Sequence, residues 1–434
     1  SSNGEIPYDL IPTGNNDTIS AKSIELVEGD WRNGGNGDVL LVTGNFIVGS
    51  AMTNNPGTNN NMRIVFRGNG NSNYYAEGVL NGTFDILVDK AVAANVTVGG
   101  NSQLIGSNGG IVNIISGNLA FDGSGNATLR SSTGPGLIVG ANGTLTGPDD
   151  DELTFTGSWD VNSAAGWDMQ SSTFILDNRS TAANFNQGNR ALRFYNFELG
   201  SNDLAGWGLL PGTSSDTIWA ENDFFVSNSG ARMANVHVVV EGDYTSAATS
   251  VVLGTKPQKV IFTGGADQVV SLALNTEMDN GVRIDKSAGK VTMNSEVQVN
   301  LLELASGNIV TGSNRLNVVG INGITGGSSS SFVDGKLRRS VLLSSWTNGV
   351  LFPVGKGSDY RPARLRNVTL TNTWDVEYLA SNPKTAFGSS VNSPLDDVST
   401  SGYWTVQAIT VLNILGSGNT NVSLSTNGSS YSDA

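Results

Sequence analysis

Short apolar runs, each of two to five residues and separated by Gly, Asn, Ser or Asp, set the texture of most of the chain. Between residues 104 and 146 they begin at Leu104, Ile111, Leu119, Ala127, Leu137 and Leu145, so from Ile111 the starts fall 8, 8, 10 and 8 residues apart. Alternation within a run is the mark of a strand with one buried face. The separators, such as Ser116-Gly117-Asn118 and Ala141-Asn142-Gly143, are residues that accept positive φ in tight turns. Strands at this spacing build a sandwich, a barrel or a solenoid.

Internal repetition favours the solenoid over a β-sandwich in which the match is accidental. Residues 260–271 (VIFTGGADQVVS) align with 282–293 (VRIDKSAGKVTM) at an offset of 22, with Val260 on Val282, Phe262 on Ile284, Ala266 on Ala288 and Val269 on Val291. A further copy, LELASGNIV at 302–310, follows. A coil of this length cannot bury its own apolar face, so coils stack and share one core. The expected architecture is all-β: a right-handed parallel β-helix over residues 1–330. From 331 to 434 longer, cleanly alternating strands at Ala363 to Leu370, Trp374 to Leu379 and Tyr403 to Val406 predict an antiparallel β-sandwich-like domain. Gly326 to Ser331 (GGSSSS) reads as a linker or a long turn between them. The ending shortly after Asn421 to Ser425 suggests a fragment of a longer polypeptide, and the polar start at Ser1-Ser2-Asn3-Gly4 suggests a signal peptide already removed.

Composition narrows the chemistry. With 55 Gly and 49 Asn in 434 residues, long helices are disfavoured. No Cys is present, which excludes disulfides and cysteine-based metal sites. The net charge of −14 argues against sustained contact with nucleic acid, which needs a basic surface. No apolar run approaches the ~18 residues of a membrane span.

The ordered series Phe262-Thr263-Gly264-Gly265-Ala266-Asp267-Gln268, Asp285-Lys286-Ser287-Ala288-Gly289-Lys290-Val291, Ser306 to Asn314 (SGNIVTGSN), Phe332 to Arg339 (FVDGKLRR), Phe352 to Gly357 (FPVGKG) and Tyr360-Arg361-Pro362 resembles the large repetitive cell-surface and secreted proteins exported by the type IX secretion system, adhesins and fibre-forming proteins among them. The resemblance spans 262–404. It implies an extracellular or cell-surface location and an adhesive or structural role; the many Asn, Ser and Thr and the unpaired edges of a solenoid make surface glycans or further copies of the chain the expected partners of a non-catalytic module. A sorting domain, usual at the end of such proteins, is not found in this sequence.

Candidate chemistry is sparse. Asp149, Asp150, Asp151 and Glu152 form the densest carboxylate cluster, a possible calcium site because hard cations take several oxygen ligands; consecutive strand residues point to opposite faces, so a solvated turn is the plainer expectation. Asp396-Asp397 is the same case. Gly34-Gly35-Asn36-Gly37-Asp38 matches a calcium-binding nonapeptide only once and one residue short. Gly349 to Lys356 fails the P-loop spacing. His237, the one histidine, reads as a strand residue rather than a triad member. Trp159, Trp167 and Trp207 are candidates for stacking on sugar rings, beside the ordinary expectation that a large aromatic in a β chain fills the core. Asp160, Asp168 and Asp177, with Arg179, are the candidates for a carbohydrate-degrading alternative, which would need them converged in a groove. Asp17-Thr18-Ile19 and Asp216-Thr217-Ile218 mark Thr18 and Thr217 as candidate O-glycosylation sites. No other cofactor is implied.

Overall fold

A computed structural model describes residues 18–31, 37–54, 61–77, 83–100, 102, 104, 110–177, 184–200, 208–211, 217–227, 232–233, 236–247, 259–273, 277–320, 323–341, 349–366, 372–388, 400–409 and 421–424. It divides into two compact units, 1–238 with 252–255, and 239–251 with 256–434.

Each unit contains a parallel β-solenoid. In the first, Asp38–Val42 pairs with Asn61–Gly68, which pairs with Thr83–Lys90, always parallel. A second face runs from Ile24–Trp31 through Phe46–Asn54 and Ser72–Ala76 to Asn95–Gly99. Partners such as Ile86 on Val112 and Val112 on Leu137 lie 26 and 25 residues apart, which is the length of a coil. Alternation does what the sequence pattern predicts. Val39 and Leu41 stay partly exposed while Leu40 and Val42 are buried, and Val42, Ile64, Phe66 and Val88 are sealed from solvent.

Aromatics fill much of the core between residues 155 and 224. Phe174, Phe197 and Phe224 stand in register on successive coils. Their rings stack at 5.8 Å and 5.5 Å with interplanar angles of 21° and 12°, a ladder in which parallel in-register pairing forces like onto like.

The second unit pairs Val260 with Val282, the offset of 22 expected from the sequence. Its other strand corrects the alignment. Gln268, not Val269, lies opposite Val291, an offset of 23. Gln268, Val270 and Leu272 point inward, whereas Val269 faces out, so one residue is gained in the turn. Residues 326–331 are a coil corner rather than an interdomain linker. Ser328 and Ser331 bridge each other, Ser331 Oγ donates to Gly307 O at 2.8 Å, and the corner thereby sits on the coil before it.

The change of texture near 331 is a change of pairing, not a break in the sheet. Val333–Val341 stacks parallel on Val297–Val318 and antiparallel on Asn372–Leu379, which continues antiparallel to Tyr403–Ala408. Val350–Phe352, Ala363–Arg366 and Asn421–Leu424 form a separate antiparallel sheet. Arg338 ties the first arrangement together by clasping Asp375 with Nε at 2.6 Å and Nη2 at 2.8 Å, and that bond holds its guanidinium above the usual range.

Candidate functional site

Corners, where the backbone leaves one sheet face for the next, leave N–H groups without a ladder partner, and each must find one. Asn and Asp supply it. Asn45 Oδ1 accepts from Asn73 N, and Asn71 Oδ1 from Asn95 N, both at 3.0 Å. Asn196 accepts from Asp223 N at 3.1 Å. In the second unit Asp243 accepts from Val269 N at 2.7 Å, Asp267 from Lys290 N at 3.0 Å and Asn308 from Phe332 N at 3.0 Å. Each side chain holds the coil that follows its own, which gives the abundant Asn a structural use.

One corner type also buries a charge. Lys90 and Lys286 are each only 3% exposed. Lys90 Nζ donates to Arg67 O at 3.1 Å and Ser72 Oγ at 2.9 Å. Lys286 Nζ donates to Thr263 O at 3.1 Å and Gln268 Oε1 at 2.5 Å. Above each lysine the next coil closes the cradle: Ser116 Oγ donates to Lys90 O and Ser306 Oγ to Lys286 O, both at 2.7 Å. Burial lowers the pKa of both ammonium groups; for Lys286 the charges of Asp267 and Glu241 act in the opposite direction. Phe66, Gly68, Ser72, Asp89 and Lys90 correspond to Phe262, Gly264, Gln268, Asp285 and Lys286 at one offset of 196 residues, and Ser116-Gly117-Asn118 corresponds to Ser306-Gly307-Asn308. The signal was present in the sequence as two Asp-Lys pairs, each followed by Ser-Gly-Asn, but a search for periods near 22 does not find a copy 196 residues away.

The residues singled out from sequence are scattered. Asp149 and Asp150 are turned to solvent, Asp149 accepting from Ser171 Oγ and Asp150 N donating to Ser171 Oγ at 2.8 Å. Asp151 Oδ1 accepts from Glu152 N at 2.9 Å, and Glu152 Oε2 from Asn126 Nδ2 at 3.3 Å. The carboxylates of Asp149, Asp151 and Glu152 thus go to three separate bonds, and Asp150 is held through its backbone N–H. Among the described residues no three Asp, Glu or His side chains gather in a group able to hold a metal ion.

Trp159 corrects its expectation. It is 1% exposed, packed between Phe155 at 5.7 Å and Phe174 at 6.0 Å, so its ring faces the core and offers no platform to a sugar. Inward alternation along Glu152–Val161 puts it there with Leu153, Phe155 and Val161. Trp167 is half-buried, its ring against Phe194 at 5.5 Å and its Nε1 donating to Arg193 O at 3.1 Å. Trp207, Arg179, Asp396, Asp397 and 34–36 lie outside the described residues.

Comparison of the chain with protein-family models, curated proteins and solved structures finds no match.

Asp160 accepts from Asn186 at 2.8 Å and Asp168 from Gln170 N at 3.0 Å, so each carboxylate is engaged on its own coil or the next. Asp177 stands at the end of Thr173–Asp177, and His237 begins the strand His237–Val240. Thr18 is exposed at the start of Thr18–Ala21, and Thr217 is partly exposed opposite Ala191. Within Gly349 to Lys356 lie the strands Val350–Phe352 and Val354–Lys356 rather than a phosphate loop, and Lys356 pairs with Asp334 at 2.9 Å. An aromatic not marked from sequence, Trp219, carries the Arg193 guanidinium 3.9 Å above its ring, and Arg193 also pairs with Glu221 at 2.7 Å. No described helix is long and apolar enough to cross a membrane.

Proposed function

We propose that the chain is a structural and adhesive module of an extracellular or cell-surface protein, a non-catalytic scaffold that holds a binding surface in place. One observation carries this. The same block of coils, with the same buried lysine cradle and the same Ser-Gly-Asn corner, is built at 66–118 and again at 262–308. Its polar side chains are directed at neighbouring coils, which is the chemistry of a stacked repeat that adds length by adding coils. The resemblance to type IX secretion cargo supports the surface location, and with it association through unpaired solenoid edges, either with a second copy or with a fibre. The antiparallel tail fits a sandwich-like cap on such a module.

The test is electron microscopy of the purified chain together with binding to whole cells and to a panel of surface polysaccharides, with release of reducing ends followed in parallel. Binding or ordered self-association with no change in the polysaccharide is expected; turnover of a polysaccharide would refute the scaffold assignment. A second reading, glycan capture, is favoured by Trp219 and Arg193, register partners on two neighbouring coils whose side chains lie outside the core. It predicts that Trp219→Ala abolishes binding to a glycan and leaves the fold intact.

A further inference from the structure

The two lysine cradles differ in one respect that matters chemically. Ser72 offers Lys90 a hydroxyl, which is no electrophile, whereas Gln268 offers Lys286 a carboxamide. Gln268 is wholly buried and Lys286 nearly so. Nζ lies 2.5 Å from Oε1; with a C=O bond of about 1.2 Å the carbonyl carbon is within about 3.7 Å of Nζ, against a near-attack separation of about 3–3.5 Å. The amide cannot turn away, because Gln268 Nε2 donates to Val240 O at 3.0 Å and to Gly242 O at 2.6 Å. We propose that Lys286 and Gln268 join in an intramolecular isopeptide bond that staples one coil to the next.

Burial favours the neutral amine needed for attack, against the charges of Asp267 and Glu241, and the proton of the ammonium leaves to solvent before the attack. The Nζ lone pair forms a bond to Cδ. The Cδ–Nε2 bond then breaks with its electron pair on nitrogen, and a proton passed from Nζ completes ammonia. A primary amine and a primary amide become a secondary amide plus ammonia, with no oxidant and no net change of electrons. The staple closes 18 residues of chain, from Gln268 to Lys286. It gives a chain without cysteine a covalent tie between stacked coils.

Mass spectrometry decides the matter on the full chain, unfolded before measurement. The expected result is an intact mass short by one ammonia and, after proteolysis, a branched peptide joining Lys286 to Gln268. Lys286→Met and Gln268→Met must each restore the full mass, and the Lys90 peptide must remain linear in all three proteins. Asn-Gly sequences lose ammonia on their own by forming succinimides, so the branched peptide is the deciding signal. Linear peptides with free Lys286 and intact Gln268, whatever the total mass, overturn the proposal; because this is read on the unaltered protein, the outcome does not depend on whether a variant folds.

Discussion

The blocks at 66–118 and 262–308 solve one packing problem with different residues, and the differences separate what the solenoid requires from what it tolerates. Required are an inward aromatic before the corner (Phe66 and Phe262), a buried lysine on the next coil, and Ser-Gly-Asn on the one after. Gly117 and Gly307 show why. Their φ values are 84° and 83°, and a Cβ there would stand 3.0 Å and 2.9 Å from the Cβ of the lysine beneath, so only glycine lets the third coil settle on the second. Tolerated are Tyr74 against Val270 and Ser72 against Gln268, which face the same core but need only fill volume or accept a hydrogen bond.

If the blocks are equivalent, their inward aromatics carry equal weight. Phe66 is edge-on to Tyr74 at 6.4 Å and Phe262 to Tyr244 at 6.3 Å, both rings sealed from water. Phe66→Ala and Phe262→Ala should each cost about 3–5 kcal/mol, the range for emptying a packed aromatic site, read as shifts in denaturation midpoint for the unit that holds each. A large loss at one position with little at the other would break the equivalence.

The lysines sharpen the comparison through pH. Lys90 has its folded pKa lowered by burial, so the unfolded chain binds the extra proton in the interval below the free value of about 10.4. Stability from this group therefore rises with pH between the lowered value and about 10.4. Lys90→Met should cost about 1–3 kcal/mol through the lost donor to Arg67 O and Ser72, and the gap to the unaltered protein should widen as pH rises through that interval. Tyr74 has the opposite sign. Burial raises its phenol, so the unfolded chain ionises first and the fold weakens above about pH 10; a Tyr74→Phe background isolates the lysine. Lys286→Met should show no such widening if Lys286 is already an amide, and a matching widening at both positions would speak for two free amines.

Sequence carried the coil and the faces of strands such as Lys259–Phe262, and it lost what depends on turns. The offset of 22 from Val260 to Val282 was legible because both ends are apolar and start a strand. The neighbouring register was not, because Gln268 looks like a surface residue and only its bonds to Val240 O, Gly242 O and Lys286 reveal that it points inward. In the tail the strands Ala363–Arg366, Asn372–Leu379 and Tyr403–Ala408 and their antiparallel pairing were legible, although the observed burial along the last two does not alternate cleanly. Trp159 was misplaced for the converse reason: an indole near carboxylates suggests a sugar platform, while strand alternation alone assigns it to the core. The lysine cradles were hidden because each draws on three coils, and no local pattern joins Ser72, Lys90 and Ser116.

The smallest expected effect lies on the outer surface. In the first block Arg63 pairs with Asp85 at 3.2 Å and Arg67 with Asp89 at 3.1 Å, two separate contacts whose arginines are more than half exposed. In the second, Thr263 replaces Arg67, and Asp285 is held by Arg283 at 2.7 Å instead. Arg283 also reaches Glu303 at 2.5 Å, and Glu303 takes Lys259 at 2.9 Å, with these side chains about a third exposed. The bond to Asp285 holds the Arg283 guanidinium above its usual range. An exposed pair is worth about 0.2–1 kcal/mol and is screened by salt. A double-mutant cycle on Arg67 and Asp89 should therefore fall in that range and vanish near 1 M salt, where screening acts within about 3 Å. The cycle on Arg283 and Glu303 should be larger and keep part of its value, because a guanidinium already fixed by Asp285 loses less freedom on meeting a second carboxylate. Equal couplings, or equal salt dependence, would show that the network adds nothing to its pairs and that the two surfaces differ in sequence alone.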